Sequence, residues 1–500
     1  MSERSCGYHA LARPSLADLK RKSVVGGFVG VSSQGLNFAV QTATTMALAR
    51  LLSAEDFGLQ GMVVALTGLL ALFREGGLGT ATVQRLEVTQ EQTSTLFWIN
   101  VGVGTALAAL CVGLAPVMVA FYHEPRLYWI VVASGAGFLL SGLSVQHGAL
   151  LARGMRFVAM AKVNVLSLAG GSAVGVVMAL LGCRYWSLVG MSLAGSAITA
   201  AGVWLCVPWR PGPPRRGAGI RSMLHFGGKA TCNSLIVFLA LNSEKILLGR
   251  FWGADALGLY GRAYQLVTLP VTQMNNSLSG VAFPALARIQ NDAGRLARSF
   301  LRGYSLLLSL TIPITISCAL FAEEIVRIVL GPKWGAAAPL LRLLAPTAMV
   351  FAVSNPLSWL VISTGRAGRA LGISLTTGPV VLLGIVLGLG HGPKGVALGY
   401  SLAMTLVVLP IAAWSKLGTA ITWSGLWQAS RQPLVSGLAA GAVGLLVKLA
   451  LAGRLAPVPC LAAGLGLVLG VYAWVLLIAL GQKGLYLDLL SQLRRRALPQ

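Results

Sequence analysis

Five hundred residues carry 56 % hydrophobic and 11 % charged side chains, at a mean hydropathy of +0.76. A soluble surface needs about a quarter of its residues charged, so a string of water-soluble domains is excluded and a polytopic membrane protein is implied. The 39 Lys+Arg against 14 Asp+Glu give +25, but this charge sits in short loops between apolar runs; membrane topology accounts for it, and no nucleic-acid partner is expected.

Residues 1–22 hold Arg4, Arg13, Lys20, Arg21 and Lys22 without a short apolar core ending at a cleavage site, the pattern of a cytoplasmic N-terminal arm. A bilayer core takes about 20 apolar residues per helix. Stretches of that kind follow near 24–50, 58–78, 94–120, 127–150, 159–182, 187–207, 223–249, 257–283, 299–322, 337–362, 371–390, 395–415, 433–452 and 457–480, fourteen helices in all. With the N-terminus inside, 26 Lys/Arg fall in cytoplasmic segments, eight in external loops and five within helices. That asymmetry over short loops places both termini in the cytoplasm.

The Pro- and Arg-rich stretch Pro208–Arg221 divides the chain. The expected organisation is an N-lobe at 23–207, a cytoplasmic linker at 208–222 and a C-lobe at 223–415. A cytoplasmic loop at 416–432, helices 13 and 14 within 433–481 and a cytoplasmic tail at 482–500 follow. The two halves repeat. ARLLSAEDFGLQG at 49–61 aligns with GRFWGADALGLYG at 249–261, pairing Arg50/Arg250, Ala54/Ala254, Gly58/Gly258, Leu59/Leu259 and Gly61/Gly261, with Glu55 opposite Asp255. A shorter echo pairs Arg153 and Arg156 with Arg366 and Arg369. Six helices separate the copies, so they share an orientation: two six-helix lobes in parallel repeat around a central cavity, plus two C-terminal helices.

Polar residues within the spans mark candidate sites. Gln34, Asn37, Gln41 and Thr45 share one face of the first helix; Gln265, Thr268, Thr272, Asn275 and Ser279 share one face of the eighth. Lipid cannot satisfy these groups, so they face other helices or water. Both a hydrated cavity and interhelical hydrogen bonding meet that demand. Lys229, Lys245, Arg262, Arg342 and Lys448 lie within about two turns of a helix end, close enough to snorkel; Lys245, Arg262 and Arg342 could instead face the cavity. Glu244, the deepest acid of the second half, suits an ion pair with a nearby cation or an ion-coupling site. Pro270, Pro313, Pro346 and Pro356 permit kinks.

The seven cysteines form no CxxC pair, and the five histidines make no HExxH and no pair at ligand spacing. His147, near a helix end, reads as a packing residue. No P-loop is present. Neither catalytic residues, nor a metal, nor a cofactor are expected, and the chain is not read as an enzyme.

The stretch 242–304 contains NSEKILLGRFWGADALGLYGRAYQLVTLP, VAFPALARIQND and RSFLRGY; AEEIVRIVLGPKWGAAAPLLRLLAP follows at 322–346 and STGRAGRA at 363–370. With ARLLSAEDFGLQGMV and the Gly77–Gln84 turn in the first half, residues 20–420 resemble the polysaccharide-transport family of the multidrug/oligosaccharidyl-lipid/polysaccharide exporter superfamily, the Wzx-type flippases. The resemblance implies a V-shaped two-lobe transporter. It would pass an undecaprenyl-pyrophosphate-linked oligosaccharide across the bacterial inner membrane, for lipopolysaccharide or exopolysaccharide biosynthesis. The implied partners are that lipid-linked cargo, membrane lipids and downstream polysaccharide polymerase or export proteins. The sequence departs from the family at Glu244, where Asp is common.

Two relatives compete with this reading. A multidrug or cation antiporter would need buried acids near the midplane, and this chain has few; a peptidoglycan-precursor flippase differs only in its sugar cargo. A membrane polymerase or ligase would need a large external loop, and the longest here, about Ala322–Ala336, is too short.

Overall fold

The computed structural model describes residues 16–75, 82, 88–214, 221–364, 367–451, 456–484 and 486. Residues 1–15 of the expected arm, the Gly77–Gln84 turn apart from Thr82, Arg366 and the tail beyond Tyr486 lie outside the described residues, as does the side chain of Lys229.

All regular structure among the described residues is helical. In chain order the long helices are α1 (Leu16–Leu51), α2 (Ala54–Glu75), α3 (Gln90–Tyr122), α4 (Leu127–Arg153), α5 (Phe157–Leu180) and α6 (Trp186–Cys206). The helical run Arg221–Arg288 breaks at Gly253 into two limbs, α7 before it and α8 after it. Then come α9 (Ala293–Leu320), a short helix Ala322–Val329, α10 (Ala337–Ser363), α11 (Ala367–Leu389), α12 (Gly392–Lys416), α13 (Trp423–Leu451) and α14 (Pro457–Trp474), which ends in a π turn, Val475–Ala479.

Eleven helices among the described residues are long and apolar enough to cross a membrane. That set does not include α1, α7 or α8, where the candidate polar residues concentrate. The protein is an all-α multi-pass membrane protein.

Capping chemistry sets several helix starts. Thr89 and Gln92 exchange side-chain to backbone bonds of 3.2 Å at the head of α3, a capping box. Ser53 and Asp56 make a second at the head of α2, the Asp56 carboxylate accepting from Ser53 N and the Ser53 hydroxyl accepting from Asp56 N. Between α7 and α8 the sequence predicts a loop of several residues, yet one residue suffices. Gly253 takes φ 77°, ψ −175°, a backbone state that a side chain disfavours, and α8 starts at once.

The internal repeat is visible in the packing. In the first half α3 packs on α4, α5 on α6, and α4 on α6; six helices further on, α9 packs on α10, α11 on α12, and α10 on α12. The chain divides into two compact units, Met1–Gly261 and Arg262–Gln500.

Inside the first unit the two copies of the sequence repeat touch each other. A Cβ on Gly58 would fall on the Ala254 carbonyl, and a Cβ on Gly258 would fall on the Ala54 carbonyl. Each copy therefore supplies a small-xxx-small pair, Ala54/Gly58 and Ala254/Gly258, that lets one helix start cross the other at backbone distance. Leu257 fills the next layer, 3.3 Å from where a Gly61 Cβ would lie.

Inside the second unit, α13 and α14 are part of the core. Phe300, Tyr304, Leu308 and Ile312 of α9 pack with Leu426 and Ala440 of α13 and with Val468 and Tyr472 of α14. Lys448 fastens the pair at one end, donating to the Leu320 carbonyl and lying 3.4 Å from the Glu324 carboxylate. Its charge is thus met by groups at the end of α9 and on the short helix that follows, as snorkelling requires.

Candidate functional site

The candidate residues fall into two groups, one per unit. In the first unit, α1 presents Gln34, Asn37 and Gln41 half-buried and Thr45 buried. Asn37 Oδ1 is enclosed without a hydrogen-bond donor, and so is Gln60 Oε1 on α2. A buried amide oxygen left this way costs about 1–3 kcal/mol, so these positions call for a donor supplied by water or by a ligand.

On α7, Glu244 is 0 % exposed and neither carboxylate oxygen accepts a hydrogen bond. Its one ion pair among the described residues is with its neighbour Lys245, at 3.7 Å, beyond hydrogen-bond reach. Lys245 Nζ donates instead to Asn242 Oδ1 at 2.9 Å, and Asn242 Nδ2 is tied to the Phe238 carbonyl at 3.0 Å. One turn of α7 thus concentrates a buried acid, a half-buried ammonium and an amide.

In the second unit, Arg262 donates to Gln265 Oε1 at 2.5 Å along α8. Thr268 turns its hydroxyl back to the Tyr264 carbonyl at 2.8 Å, while Thr272 is exposed. Asn275 is buried, and both its amide oxygen and its amide nitrogen lack partners. Arg342 stands apart from this row. It pairs with Glu323 of the short helix at 3.1 Å, both side chains about half or more exposed, an arrangement that contributes little stability.

Three polar features of the first unit escaped the sequence reading. One is a clip across the ends of three helix pairs. Arg126, between α3 and α4, donates to both Glu124 oxygens at 2.7 and 2.8 Å and to Glu55 of α2 at 2.5 Å. Arg184, between α5 and α6, lies 3.5 Å from Glu55 and 3.6 Å from Asp56. The signal was present: Arg126 and Arg184 are cations in loops that topology places outside, where positive charge is scarce, beside one of the few acidic pairs in the chain.

The second is a buried chain in which Asn100 donates to Gln146 at 3.5 Å and Gln146 to Thr82 at 3.1 Å. The third fastens the start of the Pro-rich linker. Trp209 Nε1 donates to Gln90 at 2.7 Å and Trp98 Nε1 to the Gly212 carbonyl at 2.9 Å. His147 stacks on Trp204 at 4.3 Å beside them.

The Arg126 clip makes stability depend on pH. Hydrogen bonding from Arg126 holds the Glu124 carboxyl below the ordinary carboxylate range. The stabilisation is present above the unfolded pKa of about 4.3 and is lost as pH falls through the lowered folded value. Thermal unfolding of the detergent-solubilised protein should therefore lose midpoint temperature below about pH 4. Arg126→Ala should lower the midpoint at neutral pH and approach wild type in acid; a deficit independent of pH would separate the clip from this titration.

Among the described residues no group of three His, Cys, Asp or Glu side chains could hold a metal ion. What the arrangement offers is hydrogen bonding and charge: amides and hydroxyls along α1 and α8, an ammonium on α7 and a guanidinium on α8.

The chain is similar to several known proteins. A sequence profile described as polysaccharide biosynthesis protein matches residues 47–339. The chain is 31% identical to the teichuronic acid biosynthesis protein TuaB of Bacillus subtilis over 59% of this chain and 61% of that protein. It is 24% identical to the lipopolysaccharide biosynthesis protein WzxC of Escherichia coli over 78% of this chain and 79% of that protein. The fold is like that of a lipid II flippase, MurJ, in an inward closed conformation, with TM-score 0.73 and 13% identity over 91% of this chain and 99% of that one.

Proposed function

The chain belongs to the polysaccharide biosynthesis protein family, and we propose that it flips an undecaprenyl-pyrophosphate-linked oligosaccharide across the bacterial inner membrane. The observation that carries this reading is the family match over 47–339, which takes in both copies of the repeat together with Glu244, Lys245 and the α8 row. Relatives named for teichuronic acid and lipopolysaccharide biosynthesis point to surface glycans, and the flippase-like fold suits a lipid-linked cargo.

In this reading the amides and hydroxyls of Gln34, Asn37, Gln41, Thr45, Gln265, Thr268, Thr272 and Asn275 replace water around sugar hydroxyls. Lys245 and Arg262 offset the pyrophosphate charge. Arg342, already paired with Glu323, is not needed. The prenyl chain stays in lipid, and both termini are cytoplasmic. No nucleotide-binding motif occurs in the sequence, so an ion gradient or consumption of the flipped product drives net movement. The cargo biases an alternating-access equilibrium by binding its two states unequally.

The test is leaflet-resolved detection of the prenyl-pyrophosphate glycan in cells with and without the gene. Deletion should trap the glycan on the cytoplasmic face, and complementation should release it. A normal distribution, with surface glycan intact and no redundant flippase present, would refute the proposal and favour drug or cation export. Trapping of a peptidoglycan precursor instead would reassign the cargo.

A further inference from the structure

Away from the polar residues, the outer surface of the second unit carries a long apolar groove. It lies between α11 and α12, has a volume of about 600 Å³ and is closed at one side by Leu343 of α10. That volume is within the ~300–1,000 Å³ typical of small-ligand sites.

Glycine builds it. A Cβ on Gly384 would lie 2.6 Å from the Gly399 carbonyl, and Gly388 and Gly395 stand closer still to each other's backbone. Two GxxxG pairs, Gly384/Gly388 and Gly395/Gly399, therefore bring the helices to backbone contact. Leu383 and Leu387 on one side and Leu398, Leu402 and Leu406 on the other rise as walls, with Leu387, Leu402 and Leu406 more than half exposed. The apolar window of α11 is only 17% buried by protein, so the groove opens sideways to the surrounding membrane.

Its two ends differ. At the α11–α12 turn it is lined by His391 and Lys394, both exposed and neither in an ion pair with an acid among the described residues. From Lys394 the apolar lining continues to Leu406, roughly 18 Å along α12 at 1.5 Å per residue. One leaflet of a ~30 Å hydrocarbon core is about 15 Å deep. The groove thus matches a single leaflet, with the Lys394 ammonium and the His391 imidazole at headgroup level and leucines down to the midplane.

We propose that this groove is a binding site for an anionic phospholipid, its phosphate on Lys394 and His391 and its acyl chains between the leucine walls. The depth favours a phospholipid over the polyprenyl carrier, because an undecaprenyl chain is far longer than a leaflet is deep. The proposal is independent of the flippase reading, since it needs neither the polar residues of α1 and α8 nor any cargo.

Native mass spectrometry of the full chain in detergent tests it, with phosphatidylglycerol and phosphatidylethanolamine of matched chain length supplied together. Phosphatidylglycerol should be retained in preference. Lys394→Glu should cut its retention about fivefold while leaving phosphatidylethanolamine unchanged. Leu402→Trp, which fills the groove from an exposed wall position, should reduce retention of both. Retention of phosphatidylglycerol that Lys394→Glu does not alter would overturn the proposal. So would absence of any retained lipid, and so would displacement of phosphatidylglycerol by undecaprenyl phosphate in a Lys394-dependent way, which would make this a carrier site.

Discussion

Lys245→Ala should destabilise the protein by ~3 kcal/mol and abolish the proposed glycan export, because it removes the ion-pair partner that a fully buried carboxylate has among the described residues. Glu244 accepts no hydrogen bond that could take over the compensation. Replacing both members, Glu244→Gln with Lys245→Ala, removes the stranded charge and should return most of the lost thermal stability, as measured in detergent. Export then separates two roles. If the ammonium meets the cargo's pyrophosphate, glycan output stays low in the refolded double variant. Recovery of output together with stability would make the pair a structural element only, and would take Lys245 out of the proposed site. Arg262→Ala, which removes the guanidinium that donates to Gln265, should likewise impair the proposed export.

The second large effect belongs to the crossing of α2 and α8. Gly58→Leu or Gly258→Leu places a branched side chain where the opposite helix has a backbone carbonyl. No rotamer relieves a clash at Cβ, so the helix starts must separate, at a cost of about 1–3 kcal/mol or more. Leu257, now 2% exposed, packs in the adjoining layer. In a background with the seven native cysteines replaced, Leu257→Cys should react slowly with a membrane-impermeant maleimide applied from outside, and faster when combined with Gly58→Leu. Equal rates would show that the crossing does not govern access to this layer. If the proposed transport cycle opens here, the glycine substitutions should also change export without touching any polar candidate.

The polar rows show how far sequence periodicity reaches. Spacing alone placed Gln34, Asn37, Gln41 and Thr45 on one face, and Gln265, Thr268, Thr272 and Asn275 on another. It carried no information on which of them would be enclosed. Asn275 lies buried with its whole amide unsatisfied, whereas Thr272, three residues earlier, is exposed. Likewise Arg342 and Arg262 looked alike in sequence, each a cation near a helix end, yet one meets Glu323 on an exposed surface and the other lies along α8 beside Gln265. Identical GxxxG spacing also has two outcomes in the structure. Gly384/Gly388 pack at backbone distance against Gly395/Gly399, while nothing lies within 4 Å of a Cβ on Gly466 or Gly470.

What the sequence by itself determined was local or additive: the apolar runs long enough to span, the charge asymmetry of the loops between them, the repeat at an offset of 200, and the motifs that resemble the family. Each is a property of contiguous residues, because the bilayer selects segments by hydropathy and length before they meet. The tertiary structure alone decided the partners. Arg126 reaches Glu55 across 71 positions and Lys448 reaches Glu324 across 124, and the two copies of the repeat turn out to touch each other through Gly58 and Gly258. Lipid gives helices no hydrophobic reason to prefer one neighbour over another. The choice falls to close packing of small residues and to polar groups that only another helix can satisfy, and both depend on residues that are distant in the chain.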